Sequence, residues 1–176
     1  MLRQKIPEID IIIATALWLN SNGHALKSIS IPKGLGIKRD VDKQKLIDKL
    51  SAAGISTNSI SFKSEGPDIV ASFNEGSWKI ECKGLGGGKG STLRNNFDRA
   101  LASAVSYYDS KTGIRLGFAI PKEDTYFNLI ASKIPQPLRE VLELWIFFIN
   151  ADSVEVIEPK TQILSKRKSI EEAEWV

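Results

Sequence analysis

Asp68, Glu81 and Lys83 are the residues whose types and spacing could do chemistry in this sequence. They lie in Gly66-Pro67-Asp68-Ile69-Val70-Ala71-Ser72-Phe73, the turn formers Asn74-Glu75-Gly76-Ser77, and Trp78-Lys79-Ile80-Glu81-Cys82-Lys83. That order reads as an antiparallel hairpin. With Phe73 facing Trp78, Ala71 faces Ile80 and Ile69 faces Cys82, which gives a continuous apolar face. The other face carries Asp68, Val70 and Ser72 beside Lys79, Glu81 and Lys83. In this register Asp68 stands opposite Lys83, with Glu81 one diagonal step away. Two carboxylates so close repel and desolvate one another. A divalent cation resolves that conflict, and such oxygen donors suit Mg²⁺, which takes one or two carboxylates, keeps several waters and binds substrate phosphate. A lysine beside it can orient or help deprotonate the attacking water and offset charge on a phosphorane-like transition state. The implied chemistry is metal-assisted hydrolysis of a phosphodiester. Cross-strand acid–lysine pairs are also common as plain surface salt bridges, so geometry alone leaves both readings open.

The sequence holds three (D/E)-x-K triplets: Glu81-Cys82-Lys83, Asp109-Ser110-Lys111 and Glu158-Pro159-Lys160. Only the first ends an apolar strand and follows a Pro-Asp at hairpin distance. Pro67-Asp68, twelve intervening residues and Glu81-Cys82-Lys83 together resemble the signature of the PD-(D/E)xK nucleases, the restriction-endonuclease-like fold. The resemblance implies an α/β domain, a restriction-endonuclease-like mixed sheet with an αβββαβ core flanked by helices, and places that core at about residues 42–120. It implies Asp68 and Glu81 as metal ligands, joined by the backbone carbonyl of Cys82, with Lys83 positioning or activating water. The Cys82 side chain then belongs to the core. Many members add an acid on the first helix, for which Glu8 is the candidate, and a basic or polar residue on the helix after the lysine, for which Arg94 and Arg99 are candidates. The activity so implied is a Mg²⁺-dependent endonuclease acting on DNA, of restriction type or a related processing nuclease, with Mn²⁺ able to substitute. A Holliday-junction-type resolvase and a non-cutting DNA-binding module on the same fold are the alternatives. Cutting of both strands would suit a homodimer.

A glycine loop, Gly84-Leu85-Gly86-Gly87-Gly88-Lys89-Gly90-Ser91-Thr92, follows directly. It is not a Walker A loop, since Lys83 stands where the first glycine belongs and Gly90 where Ser or Thr belongs. Lys89 likewise breaks the dinucleotide fingerprint, so no nucleotide cofactor is expected. Backbone N–H groups and Lys89 could hold a DNA phosphate. A plain flexible connection is the other reading of the same loop.

The elements that must position these groups are legible from periodicity. A first, amphipathic helix is expected from about Pro7 to Asn20, with a strand over Leu26–Ile31. A second helix capped by Asp40 or Asp42 carries Leu46, Ile47 and Leu50. Strands fill Ile60 to Lys83, arranged by the resemblance as a three-stranded antiparallel meander. From Thr92 to Tyr108 a helix places Leu93, Phe97, Ala100, Leu101, Ala104, Val105 and Tyr108 on one stripe. A strand at Ile114–Ile120, helices over Tyr126–Leu144 broken by Pro135 and Pro137, and strands at Trp145–Ile149 and Val154–Ile157 complete the order. The tail from Pro159 carries Lys166-Arg167-Lys168 and then glutamates, and reads as solvated.

Composition narrows the function classes. At 176 residues the chain is one domain's length, and 42% apolar with 26% charged residues is a folded composition. A net charge of only +3 excludes a histone-like polycation and leaves room for a local basic face. A single cysteine permits no internal disulfide, which suits a reducing interior. A single histidine removes His-cluster zinc sites and two-histidine hydrolases. The longest apolar run, Ile11 to Leu19, is nine residues, far short of the roughly 20 needed to span a bilayer. Glu8 and Asp10 interrupt any export signal ahead of it. A cytoplasmic (intracellular) protein with no membrane partner is the expectation.

Overall fold

The computed structural model describes residues 6–31, 37–74, 76–85, 90–110, 113–150 and 153–163. The elements are α1 (Glu8–Ser21), β1 (Ala25–Ser30), α2 (Ile37–Ala52), a 3-10 turn (Thr57–Ser59), β2 (Ser61–Lys63), β3 (Ile69–Phe73), β4 (Gly76–Cys82), α3 (Gly90–Ser106), β5 (Ile114–Pro121), α4 (Asp124–Lys133), α5 (Gln136–Val141), β6 (Leu144–Ile149) and β7 (Val154–Ile157). All the strands join one seven-stranded mixed sheet in the order β2-β1-β3-β4-β5-β6-β7. Strand β2 runs parallel to β1, the β1-β3 and β3-β4 pairs are antiparallel, β4-β5-β6 run parallel, and β7 closes the edge antiparallel.

The sheet separates two apolar clusters. One packs α1 and α2 through Ile9, Ile12, Leu19, Leu46 and Leu50 against Ile29, Ile69, Trp78 and Ile80. The other packs α3 and α4 through Phe97, Ala104, Tyr126 and Ile130 against Phe118, Ile120, Ile146 and Phe148. Strand β5 is buried along nearly its whole length, as expected for a parallel strand covered by helices on both faces. Each fully buried Leu, Ile or Phe contributes about 1.5–3 kcal/mol, so these helices are held by packing rather than by propensity. Among the described residues no helix is long and apolar enough to cross a membrane.

Several expectations need correction. Helix α1 is not amphipathic: Ile9, Ile11, Ile12, Ile13, Ala16 and Leu19 are all buried, because α2 covers the side that would otherwise face water. Helix α2 starts at Ile37, so Asp40 lies in its first turn and does not cap it. The three strands between 60 and 83 are not a meander. Strand β2 sits outside β1 and parallel to it, and the antiparallel trio is β1-β3-β4. Just beyond α3, Tyr108 is 65% exposed, while Tyr107 packs against the second cluster. The hairpin register is two residues away from the expected one. Phe73 pairs with Gly76, Ala71 with Trp78 and Ile69 with Ile80, so only two positions separate the paired strand ends. Such a connection twists with its strands and competes well with the longer turn. Because side chains alternate with period two, a two-residue slip leaves every side chain on its expected face.

Candidate active site

Three strands and two helices assemble the site. Strand β1 fixes the entry to β3: the Ser30 N–H donates to the Asp68 carbonyl at 2.8 Å, and the Ser30 hydroxyl to the Pro67 carbonyl at 2.8 Å. One step beyond the Ile69–Ile80 pair, the register sets Asp68 opposite Glu81, not opposite Lys83 as the sequence suggested. One step further, Pro67 stands opposite Cys82. The Cys82 N–H, aimed at β3, donates instead to Asp68 Oδ2 at 2.7 Å. In an extended strand a residue's C=O leaves by the same edge as its N–H. Pro67 has no N–H, so it cannot donate to the Cys82 carbonyl.

Glu81 and Lys83 project from the same face of β4. Lys83 Nζ lies 2.6 Å from Glu81 Oε1 and 3.6 Å from Glu8 Oε2. The Tyr107 hydroxyl, at the end of α3, donates to Glu81 Oε2. Glu8 arrives from the other side of the sheet. The start of α1 is pinned to the chain leaving β4 by a two-way bridge, Ile6 N–H to Leu85 O at 3.0 Å and Leu85 N–H to Ile6 O at 2.7 Å. Gly84 permits this approach: a Cβ there would stand 2.5 Å from the Ile6 carbonyl oxygen and 2.6 Å from the Glu8 nitrogen. Gly84→Ala is therefore expected to push α1 off the strand at a cost of about 1–3 kcal/mol. A thermal melt of the variant checks it, and an unchanged Tm would mean the bridge yields freely.

Asp68 and Glu81 are only 8% and 6% exposed, and Lys83 is the one cation whose ion pairs with the cluster are seen among the described residues. Burial, and then the charge of Glu81, push Asp68 up to about 7, against the pull of the Cys82 N–H and Lys83. Burial likewise raises Glu8, although Lys83 opposes it. For Lys83, burial alone would lower the pKa, but the hydrogen bond to Glu81 and the charges of Glu8 and Asp68 raise it overall. The Cys82 thiol is fully buried and pushed up by that burial, which leaves it a packing role.

Among the described residues no three His, Cys, Asp or Glu side chains form a ready metal cage. What is present is a pair of buried carboxylates, of which Asp68 is raised first by its burial and then by the charge of Glu81. That donor set fits Mg²⁺, which completes its shell with water and substrate oxygens.

Of the other expected residues, Glu8 is brought to the cluster through Lys83. Arg94 and Arg99 are exposed on α3, and no contact links them to the carboxylates. Lys89 lies outside the described residues. Tyr107 was missed. Its signal was the spacing Leu93, Phe97, Ala100, Ala104, Tyr107, which continues the buried stripe by steps of three and four. A separate cavity of about 600 Å³, lined by Val105, Tyr108, Ile114 and Val141 among others, shares no residue with the site. Comparison with protein-family models, curated proteins and solved structures finds no match to the chain.

Proposed function

We propose that the chain is a Mg²⁺-dependent endonuclease of the PD-(D/E)xK kind acting on DNA. The observation that carries this reading is the facing pair of buried carboxylates, Asp68 and Glu81, with Lys83 held against Glu81 on the same strand face. The fold supports it too. Leaving out α2 and β2, the order α1-β1-β3-β4-α3-β5, with β4 and β5 parallel, is the αβββαβ arrangement of that superfamily. On this reading the core begins at α1, rather than near residue 42, and α2–β2 is an insertion that ends on the outer edge of the sheet. Glu8 then falls on the first core helix, where many members carry an acid.

Asp68, Glu81 and the Cys82 carbonyl would hold the cation, which supplies Lewis-acid polarisation of the phosphate and a more acidic bound water. Lys83, kept as an ammonium by Glu81 and Glu8, orients the attacking water and donates to the phosphate oxygen that gains charge. Glu8 holds Lys83 in that direction. Arg94 and Arg99, exposed on α3, would meet phosphates flanking the cut. Arg94→Ala or Arg99→Ala is expected to flatten the dependence of DNA affinity on salt by about one unit of log–log slope per lost contact. A binding series between low and moderate salt measures it, and an unchanged slope would leave both arginines as solvated surface.

The reading is tested with supercoiled plasmid and a four-way junction, each with Mg²⁺, with Mn²⁺ and with EDTA. Metal-dependent nicking is the expected result, and the preferred substrate separates a restriction-type enzyme from a resolvase. Folded protein that binds DNA without cutting either substrate under any metal would overturn it in favour of a non-cutting module.

A further inference from the structure

We propose that Tyr107 is a positioning residue that orients the Glu81 carboxylate for the cation, an inference that rests on the nuclease reading of this site. The carboxylate is gripped at both oxygens: Lys83 Nζ holds Oε1 at 2.6 Å, and the Tyr107 hydroxyl donates to Oε2. Those two donors together fix the plane of the group. The tyrosine is itself held from the same strand. Lys79 Nζ donates to the Tyr107 carbonyl at 2.9 Å and to Asp109 Oδ2 at 2.8 Å. Lys79 and Glu81 therefore bind the two ends of one residue, its main chain and its hydroxyl, from neighbouring positions on one face of β4. The hydroxyl also lies 3.4 Å from the Gly66 carbonyl, in the segment that leads into Asp68.

The chemistry of the donor matters. A carboxylate oxygen has two lone-pair directions, so accepting from Tyr107 leaves one at Oε2 for a cation. A phenol is neutral, so it aims the carboxylate without adding positive charge. A second ammonium in its place would compete with the metal for the same oxygens. Donors of this outer kind are typically worth 10–100-fold in metal affinity.

The test is calorimetric titration of the full chain with Ca²⁺ alone, for the wild type, Tyr107→Phe, Tyr107→Leu and Glu81→Ala. The Phe variant removes one oxygen and keeps the packed ring; the Leu variant removes both. Both are expected to bind Ca²⁺ about 10–100-fold more weakly, although only the Leu variant loses Tm in EDTA. The Mn²⁺ concentration giving half-maximal plasmid nicking should rise in parallel for the Phe variant. Ca²⁺ binding that is lost in Glu81→Ala yet unchanged in Tyr107→Phe overturns the role of Tyr107 and leaves the nuclease reading standing. Affinity that falls only as far as Tm falls makes the residue structural and also overturns it. A wild type that binds no Ca²⁺ and cuts nothing removes both readings together.

Discussion

Lys83→Ala is expected to lower Mg²⁺-dependent nicking of plasmid by about 10³-fold in a chain that remains folded. The fold should survive because Lys83 leaves β4 on its polar face, whereas the core face is built by Trp78, Ile80 and Cys82. The variant has a second signature. Lys83 is the ammonium beside Glu8 and Glu81, and it competes for the oxygens that a divalent cation would use. Its removal should leave Ca²⁺ binding intact or tighter while cleavage disappears. Loss of both would point to a collapsed site, and a rate within tenfold of the wild type would remove Lys83 from the reaction.

Asp68→Asn is expected to stabilise the chain in EDTA at pH 8 and to abolish cleavage. The sign follows from the raised pKa. A carboxyl moved from its ordinary value near 3.8 to about 7 favours folding when protonated, so that contribution is fully present below about pH 4 and is lost as the pH rises through about 7. Between those limits the metal-free wild type should lose on the order of 2–4 kcal/mol. The asparagine variant, which carries no charge and can still accept from the Cys82 N–H, should not show that loss. Thermal melts from pH 4 to pH 8 measure the divergence. Adding Mg²⁺ at pH 8 should raise the wild-type Tm and leave the variant's unchanged. Parallel pH profiles for the two proteins would mean that Asp68 ionises without strain, and the argument for a cation there would lose its footing.

Which residues share the polar face of the hairpin was legible in the sequence, and which residues stand opposite one another was not. Alternation in Asp68-Ile69-Val70-Ala71 and Lys79-Ile80-Glu81-Cys82 assigns each side chain to a face, and that assignment survives any slip by two. The pairing depends on the length of the turn, and Asn74-Glu75-Gly76-Ser77 can make either a short or a long one. Strand order is a matter of distant partners. Nothing within Ser61–Lys63 distinguishes an outer parallel strand from the first strand of a meander, because β1 takes its place beside β3 through contacts from far away in the chain. The end of α3 shows a third kind of loss. Tyr107 and Tyr108 are adjacent, and a helical phase error of one residue exchanges the side chain that reaches Glu81 for the one that faces water. Glu8 was named through the resemblance, as an acid on a first helix, and the bridge between Ile6 and Leu85 explains how it reaches Lys83.

That bridge also sets an order of events. The hairpin carrying Asp68 and Glu81 closes through near neighbours in the chain, whereas the bridge between Ile6 and Leu85 joins segments 79 residues apart. Contacts between remote segments are slow to make, because the entropy of closing the loop comes due before they form. A newly made chain would thus pair its carboxylates before it acquires Glu8, so the complete site would form later than the hairpin that carries its acids.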